Sequence, residues 1–138
     1  MTIIVAVTDS REGQLALVEA IAEAKHFDTA LIAVNLAATT LDLSPYDIQG
    51  VAVTVVDRRA HDKENSAQVV LDEVEQHHAT RLVIGVQRRT PVGKALLGSM
   101  SQRLLLDCPV PVLAVKLPED QLTGGAFSLP TSMVRVTG

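Results

Sequence analysis

Tryptophan is absent from this 138-residue chain, and one tyrosine and two phenylalanines hold the aromatic share to 2%. Such scarcity excludes the stacked aromatic platforms with which proteins hold single-stranded nucleic acid. Cys108 is the single cysteine, which excludes a disulfide framework and a thiolate metal cluster. Basic charge is not in excess either: the formal net charge is −4, so neither nucleic acid nor an anionic membrane is attracted by the chain as a whole. The opening MTIIVAVTDS lacks the basic region of a leader and the apolar length of a span. No repeat at solenoid spacing is visible. A cytoplasmic protein with no nucleic-acid and no membrane partner is expected.

What is present is aliphatic. Hydrophobic residues make up 47% of the chain, nearly all Ala, Val, Leu and Ile, and a chain of this length buries about two-thirds of its unfolded surface. Thr2 to Val7 is a continuous β-branched run followed by the polar cluster TDSRE, the pattern of a buried parallel strand that meets a helix start. Ser10 is the N-cap candidate. Leu17, Ile21 and Ala24 then lie on one helical line with Val18 and Ala22 beside it, which leaves Glu19, Glu23 and Lys25 for water. TALIAVNL, VAVTVVDRR, ATRLVIGV and PVPVLAVKL read as four further strands. The stretch LAATTLDLSPYDIQG is irregular, with room for a short helix. Asp62 or Ser66 caps a helix carrying Val70, Val74 and His77, and LGSMSQRLLLD reads as a helix starting near Ser99. Strands alternating with helices imply parallel crossovers and a three-layer α/β/α sandwich, residues 1–117, followed by a tail, 118–138, rich in Gly and Pro. The tail is expected to be a mobile end or a strand in a contact between subunits.

In an open parallel sheet ligands bind beyond the carboxyl ends of the strands, where the chain order reverses. VTDS after the first strand, NLA after the second and GVQRR after the fourth all end there. Gly98-Ser99-Met100-Ser101 adds a glycine and two hydroxyls at a helix start, where free N–H groups and the dipole favour an anion. Lys94 does not make a P-loop, because the G-x4-G-K-[S/T] spacing is missing. His77 and His78 are adjacent, diverge by roughly 100° on a helix and are a poor metal pair. Arg58 and Arg59 read as a solvated loop pair. Asp57 and Asp62 could hold Mg²⁺ or act as acid or base, as surface carboxylates commonly could.

Gly85, then Gly98-Ser99 and SQRLLLDCPVPVLAVK, resemble the closing signature G-x2-G-x9-G-[S/T] of the universal stress protein family, and VAVTDSREGQLAL resembles its opening. The resemblance covers most of residues 2 to 117 and implies a Rossmann-like five-stranded parallel sheet in the order 3-2-1-4-5. It also implies a homodimer built through the last strand, to which Val112 and Val115 belong. Gly85 falls on the first motif glycine, Gly98 on the third and Ser99 on the phosphate-binding hydroxyl. Arg88 stands where the second glycine is expected, Thr8 at the family's Asp and Asp9 at its Gly.

The resemblance thus implies a stress-response protein binding an adenine nucleotide, with Mg²⁺ as a possible companion. Gly85, Arg88, Arg89, Gly98, Ser99, Met100 and Ser101 would surround the phosphates; Thr8, Asp9, Ser10, Val34 and Asn35 would line the nucleoside side. Arg88 and Arg89 either replace backbone contacts with charge-assisted bonds to phosphate or fill the pocket. No catalytic residue stands out, since no base or orienting carboxylate is evident beside Ser10, Ser99 or Ser101. Three functions stay open: a regulatory nucleotide binder without a dedicated reaction, a nucleotide-free interaction module, and a slow nucleotide hydrolase.

Overall fold

The computed structural model describes residues 1–58, 63–86, 98–117 and 135–137. The β-branched N-terminal run forms β1 (Thr2–Val7), and Ser10 starts α1 (Arg11–Phe27). There follow β2 (Ala30–Asn35), β3 (Val53–Asp57), α2 (Lys63–Gln76), β4 (Arg81–Gly85), α3 (Ser99–Asp107), β5 (Val112–Val115) and β6 (Arg135–Thr137). The sheet runs β3-β2-β1-β4-β5-β6. Its first five strands are parallel, as expected. Chain order reverses between β1 and β4, so the crevice beyond their carboxyl ends is where a ligand belongs.

Alternate side chains of each central strand feed different layers, because Cβ directions alternate along a strand. Ile3, Val5 and Val7 join Leu17, Ala20 and Ile21 on the α1 side, whereas Ile4 and Ala6 meet Val70, Val74 and Leu104 on the α2 and α3 side. Both faces are therefore dry, which is why these strands read as unbroken apolar runs.

α1 buries the expected line of Leu17, Ile21 and Ala24, but the positions beside that line depart from expectation. Glu19 and Glu23, assigned to solvent by periodicity, are 2% and 5% exposed, whereas Val18 is 39% exposed. The reason at Glu23 is a distant cation: Arg81 Nη1 at the start of β4 lies 3.0 Å from Glu23 Oε1, and the same guanidinium sits 5.0 Å from the centre of the Phe27 ring. An amphipathic stripe carries no information about such a partner. The helix ends at Asp28, in the left-handed region at φ 52°, whose N–H reaches the Ala24 and Lys25 carbonyls.

No helix forms between β2 and β3. Residues 36–52 cross over as turns, and Leu41, Leu43, Tyr46 and Ile48 pack on the α1-side core in place of a helix. Asp42 accepts from Ser44 N at 3.0 Å, Asp47 accepts from Gln49 N at 3.2 Å, and Gly50 takes φ 83°. Local side-chain bonds of this kind compete with helix formation. Lys25 ties the crossover to α1 by pairing with Asp47 at 3.4 Å.

Of the two cap candidates for α2, Ser66 lies inside the helix and Asp62 outside the described residues. Glu73, 3% exposed, is held between Arg58 Nη1 at 3.0 Å and His77 Nε2 at 2.9 Å. Arg58, its side chain 40% exposed, is therefore paired with a buried carboxylate rather than free in a solvated loop, and Arg59 falls outside the described residues. His78, at φ 49°, turns the chain out of α2. In the tail, expected to be mobile or to reach another subunit, residues 135–137 pair antiparallel with the chain's own β5, which occupies the edge through which a dimer was expected.

Candidate functional site

At the end of β1 the backbone turns sharply: Ser10 N donates to the Thr8 carbonyl at 2.9 Å, and the Thr8 and Ser10 hydroxyls are 2.9 Å apart. Ser10, with extended φ −152° and ψ 162°, accepts from Gly13 N at 3.0 Å. One of the free donors of α1 is thus already satisfied by the chain itself. Asp9, between these two residues, is exposed.

Gly13, which sequence reasoning passed over, explains how closely the helix approaches. A Cβ there would lie 2.5 Å from both the carbonyl oxygen and the Oγ1 of Thr8. Gly85 has the same task on the other side. A Cβ on it would overlap the Glu12 carbonyl group and come within 2.9 Å of Gly13 N. The first turn of α1 is seated between the ends of β1 and β4, on two residues with no side chain. At Gly85, expected at the phosphate, the structure shows a close helix–strand contact. A glycine in the first turn of an otherwise regular helical pattern was the available signal for Gly13.

The N-terminus of α3 is different. Gly98 caps it at φ −64° and ψ 157° with no side-chain cap bond, and no described atom would lie within 4 Å of a Cβ there. Neither backbone conformation nor packing among the described residues calls for glycine. Ser99 beside it is exposed, Ser101 is 7% exposed, and Met100 packs half-buried on the α2-side core. Because α3 returns from β4 to the parallel strand β5, this end opens at the carboxyl side of the sheet, the side on which Thr8, Ser10 and Gly85 lie. Arg88 and Arg89, which belong to the same expected phosphate group, fall outside the described residues.

On the nucleoside side, Val34 is fully buried and its side chain belongs to the α2-side core. Asn35, 1% exposed, donates from Nδ2 to the Thr39 carbonyl and to Asp57 Oδ1, each at 2.9 Å, and its Oδ1 accepts from Ala37 N at 3.1 Å. Its side chain therefore fastens the start of the crossover to the end of β3. Asp57, considered for Mg²⁺ or acid–base work, is the acceptor in that clamp. The side chains of Val34 and Asn35 are thus committed to the core and to this clamp. Among the described residues no cluster of three or more His, Cys, Asp or Glu side chains has the grouping of a metal site, and no helix is long and apolar enough to cross a membrane.

Known proteins share this fold. Residues 48–116 match the model of the Universal stress protein family. A universal stress protein of Mycolicibacterium smegmatis is 36% identical over 115 residues, spanning 75% of this chain and 88% of that protein. Among solved structures, a universal stress protein from Archaeoglobus fulgidus superposes with a TM-score of 0.62 at 21% identity, covering 83% of this chain and 97% of the other. Universal stress protein UspA from Lactobacillus plantarum gives 0.57 at 14% identity over 86% and 97% of the two chains. At such identities the structural likeness speaks for the fold.

Proposed function

Because the chain belongs to the universal stress protein family, we propose that it binds an adenine nucleotide as a regulatory ligand, without a dedicated reaction, and that the phosphates lie against the N-terminus of α3. One observation carries this reading. Of the three described glycines at this end of the sheet, Gly13 and Gly85 are accounted for by packing, whereas Gly98 stands at a helix start with no side-chain cap bond and no atom within 4 Å of a Cβ among the described residues. An uncapped helix start leaves N–H donors and the positive dipole end for an anion, and the absence of a Cβ lets phosphate approach the backbone. Exposed Ser99 adds a hydroxyl donor at the same turn. Arg88 and Arg89 would supply charge, and Asp9, exposed beyond β1, would meet the sugar or base. Mg²⁺, if it accompanies the nucleotide, would be held chiefly by the phosphates.

A thermal-shift series tests the reading, with ATP, ADP, AMP, cyclic AMP and inorganic phosphate, with and without Mg²⁺. Binding to the folded state alone raises the midpoint with concentration, by about 2.7 kcal/mol of added stability at a hundred times Kd. Ser99→Phe places bulk on an exposed position and should abolish the shift while leaving the unliganded midpoint unchanged. An undiminished shift in that variant refutes the site.

A second reading has its own support. Val34 and Asn35 offer no free side chain, and Ser10 closes the start of α1. A nucleotide-free interaction module would have this appearance, and it predicts no shift with any nucleotide in the wild type. If Arg88 is what closes the pocket, Arg88→Gly should restore a shift.

A further inference from the structure

We propose that Asn35 is a positioning residue for the nucleoside: together with Asp57 it holds the start of the crossover, residues 36–39, in the shape that a base meets, and so sets which base is preferred. The inference rests on the nucleotide reading above and adds to it a determinant of selectivity away from the phosphates. Asn35 ends β2 and is 1% exposed. Both of its amide hydrogens are used, one on the Thr39 carbonyl and one on Asp57 Oδ1, and its side-chain oxygen accepts from Ala37 N. Leu36 packs on the α2-side core and Leu41 on the α1-side core, but Ala38, Thr39 and Thr40 between them are exposed and small. Side-chain packing therefore does little for the shape of this segment, and the Asn35 bonds do most.

The segment lies beside the crevice, because Leu36 N donates to the Val7 carbonyl at 2.9 Å, one residue before Thr8. Its anchor is fixed from two sides. Arg58, next to Asp57, donates its N–H to the Asn35 carbonyl at 2.9 Å, and its guanidinium is paired with Glu73 on α2. Asn35 is thus bonded to the end of β3 through both main chain and side chain, and it passes that rigidity to residues 37 and 39. The contribution is preorganisation, since supporting hydrogen bonds hold a site in its productive geometry. A segment released from the clamp takes the bound shape for only a fraction of the time, and apparent affinity falls by that fraction. If the fraction is about one tenth, ATP binds about tenfold more weakly. Inorganic tripolyphosphate, which has no base and meets only the α3 end of the crevice, is spared.

The test is calorimetric titration with ATP, GTP and inorganic tripolyphosphate of the wild type, Asn35→Ala, Asp57→Ala and Asp57→Asn, each well below its unfolding midpoint. Asp57→Ala breaks the clamp from an exposed position and keeps the test decisive should Asn35→Ala fail to fold. Asp57→Asn removes the charge but keeps an oxygen for Asn35 to donate to. Both alanine variants should bind ATP about tenfold more weakly, discriminate less between ATP and GTP, and bind tripolyphosphate within about twofold of wild type. Asp57→Asn should behave as wild type. Hydrogen exchange in residues 36–40, measured without ligand, should quicken in the two alanine variants and not in Asp57→Asn. Folded alanine variants with unchanged ATP affinity and unchanged preference over GTP, or with equal losses for ATP and tripolyphosphate, overturn the inference and leave the nucleotide reading standing. Asp57→Asn as weak as Asp57→Ala would make the carboxylate a ligand contact in its own right and also overturns it. A wild type that binds no nucleotide overturns the nucleotide reading itself, and this inference with it.

Discussion

Gly85→Ala separates packing from ligand contact at the first motif glycine. The added Cβ would overlap the Glu12 carbonyl group and approach Gly13 N to 2.9 Å, and both are main-chain atoms of α1 that cannot rotate away. Relief requires the first turn of α1 to lift from the sheet, and with it the buried row Ala16, Leu17, Ala20 and Ile21. Overpacking a dense core costs about 1–3 kcal/mol, and a clash with backbone on a central strand belongs at the upper end. A loss of about 3 kcal/mol is a large part of the 5–15 kcal/mol typical of a domain, and with a urea m-value of about 2 kcal/mol/M it lowers the unfolding midpoint by about 1.5 M. Urea titration followed by far-ultraviolet circular dichroism reads this directly. Gly98→Ala is the control. It has an accessible φ of −64° and no described atom within 4 Å, so it should stay within about 0.5 kcal/mol of wild type. Equal midpoints for Gly85→Ala and wild type, or equal losses in both variants, would refute the argument that Gly85 is there for the helix.

Further outcomes follow from single contacts. Glu23→Gln breaks the ion pair with Arg81 and, because that guanidinium remains 29% exposed and can be hydrated, should cost about 1–3 kcal/mol in the same titration. Asn35→Ala removes a clamp of three hydrogen bonds at a buried position and should cost about 2–3 kcal/mol, with faster hydrogen exchange concentrated in residues 36–40. Tyr46 is the only tyrosine and there is no tryptophan, so phenolate absorbance reports on it alone. Burial raises its pKa, so the folded protein should ionise above the usual tyrosine range and lose stability as pH climbs past the unfolded value; ionisation at or below that value would contradict its packing. Burial also raises the Cys108 thiol, opposed by the Val110 N–H, so disulfide-reagent labelling near neutral pH should be slower in the folded chain than in urea.

Much of the fold was legible because its signals are local. Buried parallel strands announce themselves as apolar runs, Ser10 and Gly98 mark helix starts by their own chemistry, and alternation of strands with helices implies a parallel sheet. The order 3-2-1-4-5 came from the motif resemblance. The candidate site was legible as a neighbourhood: Thr8, Ser10, Gly85 and Gly98 do gather at one end of the sheet, but the close seating of α1 on Gly85 is not visible in motif position alone.

Tertiary structure decided which surfaces those elements share. Glu23 is buried because Arg81 reaches it from β4, and Gly85 is required because α1 rests on it. Leu41, Leu43, Tyr46 and Ile48 replace a crossover helix because they find the α1-side core, and β5 is covered because Arg135–Thr137 returns to it. By itself the sequence determined periodicity, capping and turn chemistry, which act within a few residues along the chain. The pairing of Glu23 with Arg81, the approach of Glu12 to Gly85 and the covering of β5 depend on groups brought together from distant positions, and only close packing of the whole chain selects them.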